Sequence, residues 1–200
     1  MVDVRIAVRS DRDAVVNTVV AAFAHDLAWS FMHQAEFDRI APLLAGALFD
    51  LRVDAGRVWV TAGVEAVSMW EEPGGTSFSS AQESADVWQR YRDEAGEQAW
   101  SRLHAYDTAV DAVAPTTRYW YLGVLATHPA HQGTGCATAV VAPALALADR
   151  DHLPTCLETS NPANKPFYAR LGFEPTADVL IDGGPPTWWL TRPPTQSPST

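Results

Sequence analysis

The sequence predicts an α/β fold, a mixed and mostly antiparallel twisted sheet with helices on both faces, in one domain over 1–192 with a disordered tail at 193–200. Three observations carry that expectation. Short runs rich in Val, Trp and Tyr recur along the chain, as strands require. Segments with apolar residues three and four apart stand between most of them, as amphipathic helices require. At both flanks two strand-like runs follow one another with Gly or Pro between them, as hairpins require. The expected order is β-α-α-β-β-α-β-α-β-α-β-β, and helices interleaved with strands cover both faces of one sheet.

Residues 2–8 are β-branched and weakly alternating, and read as the first strand. Ser10 followed by Asp11 and Asp13 reads as a capped helix start, which Val15, Val16, Val19, Val20 and Phe23 continue at helical spacing. A second helix over 36–51 carries Phe37, Ile40, Leu43, Leu44 and Leu48 on one face. Residues 57–62 and 64–70 form a hairpin turning near Gly63, and Glu-Glu-Pro-Gly-Gly at 71–75 is a loop. Trp88, Tyr91, Trp100, Leu103 and Tyr106, set among polar residues over 80–112, give one or two amphipathic helices. The apolar run 118–127 is the central strand, ended by His128-Pro129, and 138–149 is an Ala-rich helix containing Pro143. A short strand at 155–158, a helix at 162–171 with Gly172 as its C-cap, and an antiparallel pair at 173–181 and 187–191 complete the domain. The Pro/Ser/Thr composition beyond 193 buries too little apolar surface to order.

Composition narrows the function. Hydrophobic residues make up 47% and charged residues 19%, enough for a sizeable core. A net charge of −10, with 14 Lys and Arg spread along the chain, speaks against a nucleic-acid partner. The same acidity suits a cationic amine and equally serves solubility. No run reaches the roughly 18 uninterrupted apolar residues of a membrane helix, and the first twenty residues lack the zones of a secretory signal. A cytoplasmic protein without a membrane partner is expected. Cys136 and Cys156 make no disulfide framework, and no paired Cys or His spacing predicts a metal site.

The strongest local signal is strand, then His-Pro-Ala-His-Gln-Gly-Thr-Gly-Cys-Ala at 128–137, then helix. A helix start offers unpaired N–H groups and a partial positive charge. Gly133 and Gly135 allow a tight turn and close approach of phosphate oxygens, so a pyrophosphate fits at 132–137. The loop is neither a Walker loop nor a GxGxxG fingerprint. By itself it reads equally as an ordinary turn.

Gln132-Gly133-Thr134-Gly135-Cys136-Ala137 resembles the acetyl-CoA loop of the GNAT acetyltransferases. Asn-Pro-Ala-Asn-Lys-Pro-Phe-Tyr-Ala-Arg-Leu-Gly-Phe at 161–173 resembles that family's second motif, in the expected order and spacing. The motif likeness covers 119–175. Residues 157–179, with Ala-Ala-Phe-Ala at 21–24, Gly-Arg-Val-Trp-Val at 56–60 and Ala-Val-Ser-Met-Trp at 66–70, are similar to its puromycin N-acetyltransferase branch. Thr134 stands where the family often carries a basic residue.

The resemblance implies a GNAT-like sheet and acetyl-CoA as co-substrate. Backbone groups of Val124, Leu125 and Ala126 would pair with pantetheine amides, and those of Gln132 through Ala137 would hold pyrophosphate. Asn161 and Asn164 would contact the pantetheine arm or the adenine end, and Tyr168 would protonate the leaving thiolate. The implied reaction is direct acetyl transfer, in a ternary complex, to a primary amine of a small molecule such as an aminonucleoside antibiotic, as self-protection. A peptide or protein amine as acceptor, and a non-catalytic acetyl-CoA sensor, are the alternatives; assembly as monomer or homodimer stays open.

Several residues keep two readings. A lone tyrosine such as Tyr168 packs a helix on a sheet as readily as it donates a proton. Glu158, three residues before Asn161, is either the base that accepts the amine proton or a carboxylate that organises the loop. Asp26, read on the loop after the first helix, either recognises a cationic amine or is merely solvated. Trp29, Phe31, Phe78 and Trp88 either stack on an aromatic acceptor or pack the outer helices. Trp59, Trp70 and Trp120 read as core. Cys136 lacks the His or Asp context of a nucleophile and reads as packing.

Overall fold

A computed structural model describes residues 2–74 and 81–195. Fourteen regular elements appear in the described residues. They are β1 (Val4–Ile6), α1 (Arg12–Phe23), α2 (Leu27–His33), α3 (Phe37–Asp50), β2 (Val58–Thr61), β3 (Ala66–Glu71), α4 (Ala81–Ala95), α5 (Glu97–Asp111), β4 (Trp120–Thr127), α6 (Cys136–Arg150), β5 (Thr155–Thr159), α7 (Lys165–Arg170), β6 (Glu174–Val179) and β7 (Thr187–Arg192). The seven strands form one sheet in the order β1-β2-β3-β4-β5-β7-β6. Every pairing is antiparallel except β4 with β5. The expected mixed, mostly antiparallel sheet is therefore present, with β4 at its centre.

Two layers cover it. Val15 and Val19 of α1, Ile40, Leu44 and Phe49 of α3, and Tyr91, Leu103 and Tyr106 of α4 and α5 pack over Val58, Val60, Val67 and Met69. Val141, Ala144, Leu145 and Ala148 of α6, with Tyr168 of α7, pack on the other face over Trp59, Trp70, Trp120 and Leu157. Strand residues alternate between the layers as a pleat demands. β4 departs from this, as β6 does between Pro175 and Ala177. Its register against β3 slips between Met69 and Trp70, which pair with Val124 and Leu122, so Gly123 is an extra residue on β4. Leu122 consequently faces the α6 layer and Val124 the α1–α5 layer, although they are two apart. A glycine inside a strand is a common place for such a bulge.

Some local expectations are corrected. Ser10 does not cap α1; residues Arg9–Asp11 form a 3-10 turn, and Asp11 accepts hydrogen bonds from the Val8 N–H and the Arg5 guanidinium. The segment after α1 is not a loop but α2, because the Asp26 carboxylate accepts hydrogen bonds from the N–H groups of Ala28 and Trp29. The 57–70 hairpin turns near Gly63 as expected; Val64 beside it holds a left-handed backbone (φ 59°), and Thr18 Oγ donates to its carbonyl at 2.6 Å. Only Lys165–Arg170 of the expected 162–171 helix is α-helical, since Pro162–Asn164 is a 3-10 turn. Gly172 caps it as expected, at φ 90°, with the Phe173 N–H donating to the Tyr168 carbonyl. In the tail, Thr195 N–H bonds to Asp149, and residues beyond 195 lie outside those described. No single described helix is long and apolar enough to cross a membrane.

Candidate active site

The site begins where β4 leaves β5. The two strands are registered only at Trp120–Thr155 and Tyr121–Cys156. Beyond Tyr121, no described strand pairs with β4 on that side. The β5-facing N–H and C=O groups of 122–126 thus lack the ladder partners that a strand demands, which makes this edge a template for an extended, amide-bearing ligand. Gly123, Val124 and Leu125 line a cavity of about 320 Å³ that opens in the gap.

At the far end of β4, the loop 132–135 is exposed and α6 starts at Cys136. Gly133 (φ 76°) and Gly135 (φ 87°) both hold left-handed backbone, which only glycine adopts without strain. A Cβ on either would meet nothing within 4 Å, so the space over the loop is open to a ligand. No side chain caps the first N–H groups of α6. Uncapped helix N–H groups under open glycines suit an anion. Thr134 turns its hydroxyl inward, to the His131 carbonyl at 2.6 Å and to Cys136 Sγ at 3.2 Å. Cys136 is buried against Ala66 and Val140.

The acid–base groups meet in the cavity from opposite faces of the sheet. Glu158, on β5, faces the α1–α5 side and accepts a hydrogen bond of 2.6 Å from the Tyr121 hydroxyl. Burial pushes its carboxyl up to about 7; the Tyr121 bond opposes the shift, and the nearby charges of Glu71 and Asp26 add to it. Tyr168 comes from α7 on the other face, its ring set edge-on to Phe167 and Phe173. Burial first, and then Glu158 and Asp26, raise its hydroxyl above the ordinary phenol range, so it stays protonated. No described residue hydrogen-bonds to that hydroxyl. The parting of β4 and β5 is what lets Glu158 and Tyr168 reach one space.

Aromatic and acidic side chains build the remaining wall. Trp29, buried on α2, packs against Phe23 with tilted rings whose centres are 4.7 Å apart, and lines the cavity. Trp88 lines it from α4, against Tyr91 and Trp100. Asp26 lines it too, its carboxyl raised by burial against the two α2 N–H bonds that lower it. The structure thus gives Asp26 a capping role and a place at the cavity together. Phe31 packs against the helical core and does not line the cavity. Phe78 lies outside the described residues. Asn164 lines the cavity, whereas the Asn161 side chain accepts the Ala163 N–H and caps the turn before α7. Trp59, Trp70 and Trp120 are buried in the core.

Reading the sequence missed several of these groups. Tyr121, partner of Glu158, looked like one more apolar residue in a strand, and Gly123 was an isolated glycine whose strand position was the available signal of a bulge. Arg52, 3% exposed, donates to the Leu48 carbonyl and pairs with Glu71 at the cavity wall. Asp107 and Asp111 of α5 also face the cavity. Burial in the concavity, then Glu158 and Asp111, raise the Asp107 carboxyl even though cavity solvent reaches it. Nothing in linear spacing connects residues 52, 71, 107 and 121.

Residues 93–175 match the family described as acetyltransferase (GNAT) domain. The whole chain is similar to the crystal structure of histone acetyltransferase HPA2 and related acetyltransferase from Corynebacterium glutamicum, at 23% identity over 100% of both chains, TM-score 0.69. It is similar to arylalkylamine N-acetyltransferase 2 from Aedes aegypti at 11% identity, over 97% of this chain and 99% of that one, TM-score 0.65. It is also similar to the Drosophila melanogaster polyamine N-acetyltransferase at 12% identity, over 96% and 100%, TM-score 0.65. At these identities the structural likeness is one of fold. The chain has the GNAT fold, and its segment from the end of α4 into β6 carries the match to the acetyltransferase domain.

Proposed function

We propose that this chain is an acetyl-CoA-dependent N-acetyltransferase acting on a primary amine of a small molecule. The observation that carries the reading is the convergence, at the open edge of β4, of Glu158, raised to about 7, with the protonated and unpartnered hydroxyl of Tyr168. The match over 93–175 supports an acetyl-transferring enzyme.

The chain's groups fit the CoA moiety. Pyrophosphate would rest on the uncapped N–H groups of 132–137, and pantetheine amides would complete the free edge at Val124, Leu125 and Ala126. Asn164 would meet the pantetheine arm; Asn161 would act by shaping the turn that presents it. When bound, acetyl-CoA supplies an activated acetyl group. The acceptor amine first loses a proton to ionised Glu158, directly or through water. Its lone pair forms the new C–N bond, and a backbone N–H near the Gly123 bulge steadies the oxyanion. As the C–S bond breaks, Tyr168 gives its proton to the leaving sulfur, and the second proton on the new amide nitrogen passes, directly or through water, to the phenolate so formed. Tyr121 holds the Glu158 carboxylate in place. No covalent enzyme intermediate is needed.

The aromatic side chains of Trp29, Trp88, Tyr121 and Trp189, which line one cavity, suit a small acceptor with an apolar body. The likeness over 157–179 extends the proposal to aminonucleosides such as puromycin, whose aryl group would lie against that wall. In the cytoplasm such acetylation would serve drug resistance. The test is thiol release from acetyl-CoA with a panel of amines including puromycin, with product masses determined. Puromycin gaining one acetyl group supports the aminonucleoside reading. Release with other amines only removes puromycin and keeps the transferase. Acetyl-CoA binding without release from any amine replaces catalysis with a sensor role.

A further inference from the structure

Arg52 stands in the turn after α3 and is 3% exposed. Among the described residues that line the cavity it is the single cation, against the carboxylates of Asp26, Glu71, Asp107, Asp111 and Glu158. Its Nη1 donates to the Leu48 carbonyl at 3.0 Å and its Nη2 to the Glu71 carboxylate. The buried Nε has no hydrogen-bond partner among the described residues. Taking a guanidinium out of water is costly, and a buried ion pair adds little stability over an uncharged pair of the same size. Stability alone therefore gives no reason for a buried arginine at this place.

The reason lies in what the guanidinium touches. A Cβ on Gly123 would stand 3.3 Å from Arg52 Nη2 and 3.2 Å from Tyr121 Cε1. Arg52 and the Tyr121 ring thus flank the glycine of the β4 bulge and fill the space a side chain would take. Glu71, held by Arg52, is the cross-strand partner of Tyr121, and the Tyr121 hydroxyl donates to Glu158 at 2.6 Å. One line of neighbours therefore runs from the end of α3 through Arg52, Glu71 and Tyr121 to the Glu158 carboxylate. Burial first, then Glu158 and Glu71, hold the Tyr121 hydroxyl well above the ordinary phenol range, so it carries no charge of its own. The Glu71 charge also adds to the burial that raises Glu158, and Arg52 is its counter-charge.

Resting on the transferase reading above, we propose that Arg52 is a positioning residue for acetyl transfer: it holds Glu71 and the Gly123 bulge against the Tyr121 ring, and through Tyr121 it places the carboxylate of Glu158. Arg52 touches neither the amine nor the thioester. Its charge offsets that of Glu71, which would otherwise keep the proton on Glu158. Its planar fork reaches α3 and β3 at once, which a lysine ammonium on a flexible stem does not reproduce. The β4 backbone so fixed is the segment whose N–H meets the oxyanion.

The test is a cycle of Arg52→Gln, Glu71→Gln and the double variant. The Glu158 carboxyl is titrated directly by NMR in protein carrying ¹³C at glutamate Cδ, its signal assigned by its loss in Glu158→Gln. Thiol release and melting temperature are measured beside it. In Arg52→Gln the Glu158 midpoint should rise by about half a pH unit or more, because Glu71 is left without its counter-charge. In Glu71→Gln it should fall by a similar amount, and in the double variant it should return to the wild-type value. The double variant should still turn over about tenfold more slowly than wild type, with the KM for acetyl-CoA within about twofold, because the grip on the bulge is gone. A Glu158 midpoint unmoved by Arg52→Gln, or one that the double variant does not return, overturns the proposal. If Arg52→Gln does not fold, the fall in Glu71→Gln and its reversal in the double variant decide in the same way. A double variant that melts lower but turns over at the wild-type rate makes the pair a brace of the fold and also overturns it. If no amine releases thiol, the transferase reading fails by itself, and the NMR cycle still decides whether Arg52 governs Glu158.

Discussion

The two halves of the candidate site are built on different principles. The cofactor side, from the free edge of β4 to the start of α6, is made of backbone: unpaired strand groups, two left-handed glycines and uncapped helix N–H groups. The acceptor side is made of side chains from α2, α4, α5, β3, β4, β5 and β7 and from the turns that hold Asp26 and Arg52, and no two of its charged members are adjacent in sequence. A site of backbone tolerates most side-chain changes and is sensitive to conformation. A site of side chains behaves in the opposite way.

That contrast is best broken at Glu158. Glu158→Gln keeps the shape and removes the base, so kcat should fall about 10² to 10³-fold. Wild-type kcat/KM should rise as pH passes about 7, where Glu158 ionises, and the variant should lack that limb. A pH profile unchanged in the variant would move the base elsewhere. Tyr168→Phe comes next: the ring packing against Phe167 and Phe173 remains, the proton donor is lost, and kcat should fall about 30-fold with little change in melting temperature. Unaltered turnover would leave Tyr168 a packing residue.

Gly135→Ala sharpens the other side of the comparison. An alanine at φ 87° costs about 1–2 kcal/mol in strain, and its methyl enters the space over the loop. The KM for acetyl-CoA should rise about tenfold, with the acceptor KM held within twofold. An equal rise in both would mean that the two halves are not separable. The smallest effect is expected from a change in neither half. The Arg192 guanidinium grips Asp149 through two bonds of 2.8 Å and holds that carboxyl well below the usual range, clamping β7 to α6. Because the folded pKa is depressed, this contribution is present above the ordinary carboxylate pKa of about 4 and is lost as pH falls below it. Asp149→Asn should lower stability by about 1 kcal/mol near neutral pH, allowing for partial exposure, and leave both KM values alone. Equal stability of variant and wild type at pH 7 would remove the clamp.

How legible each part was in the sequence follows from the same contrast. The Gln132–Ala137 loop was legible because glycine spacing and a strand-to-helix transition are local events. Tyr168 and Gly172 were legible because a helix and its C-cap lie within a few residues. The segment after α1 reads as a loop in the sequence because α2 is only seven residues long and owes its start to the Asp26 side chain. The pairs Tyr121–Glu158 and Arg52–Glu71 span 37 and 19 residues, distances at which linear pattern carries no signal.

By itself, then, the sequence determined what depends on period and on short-range backbone chemistry: the order of the strands, most of the helices between them, the hairpins at both flanks, and a glycine turn leading into a helix. Only the tertiary structure decided what happens at Gly123 and in the gap beside it. The extra residue there turns the rest of β4 over, so that Leu122 and Val124 serve opposite cores, and the strand parts from β5 after two paired positions. Alternation along a strand can be read without its neighbours. A slip in register exists only relative to the strand beside it, and so does the opening that brings Glu158 and Tyr168 from two faces of the sheet into one cavity.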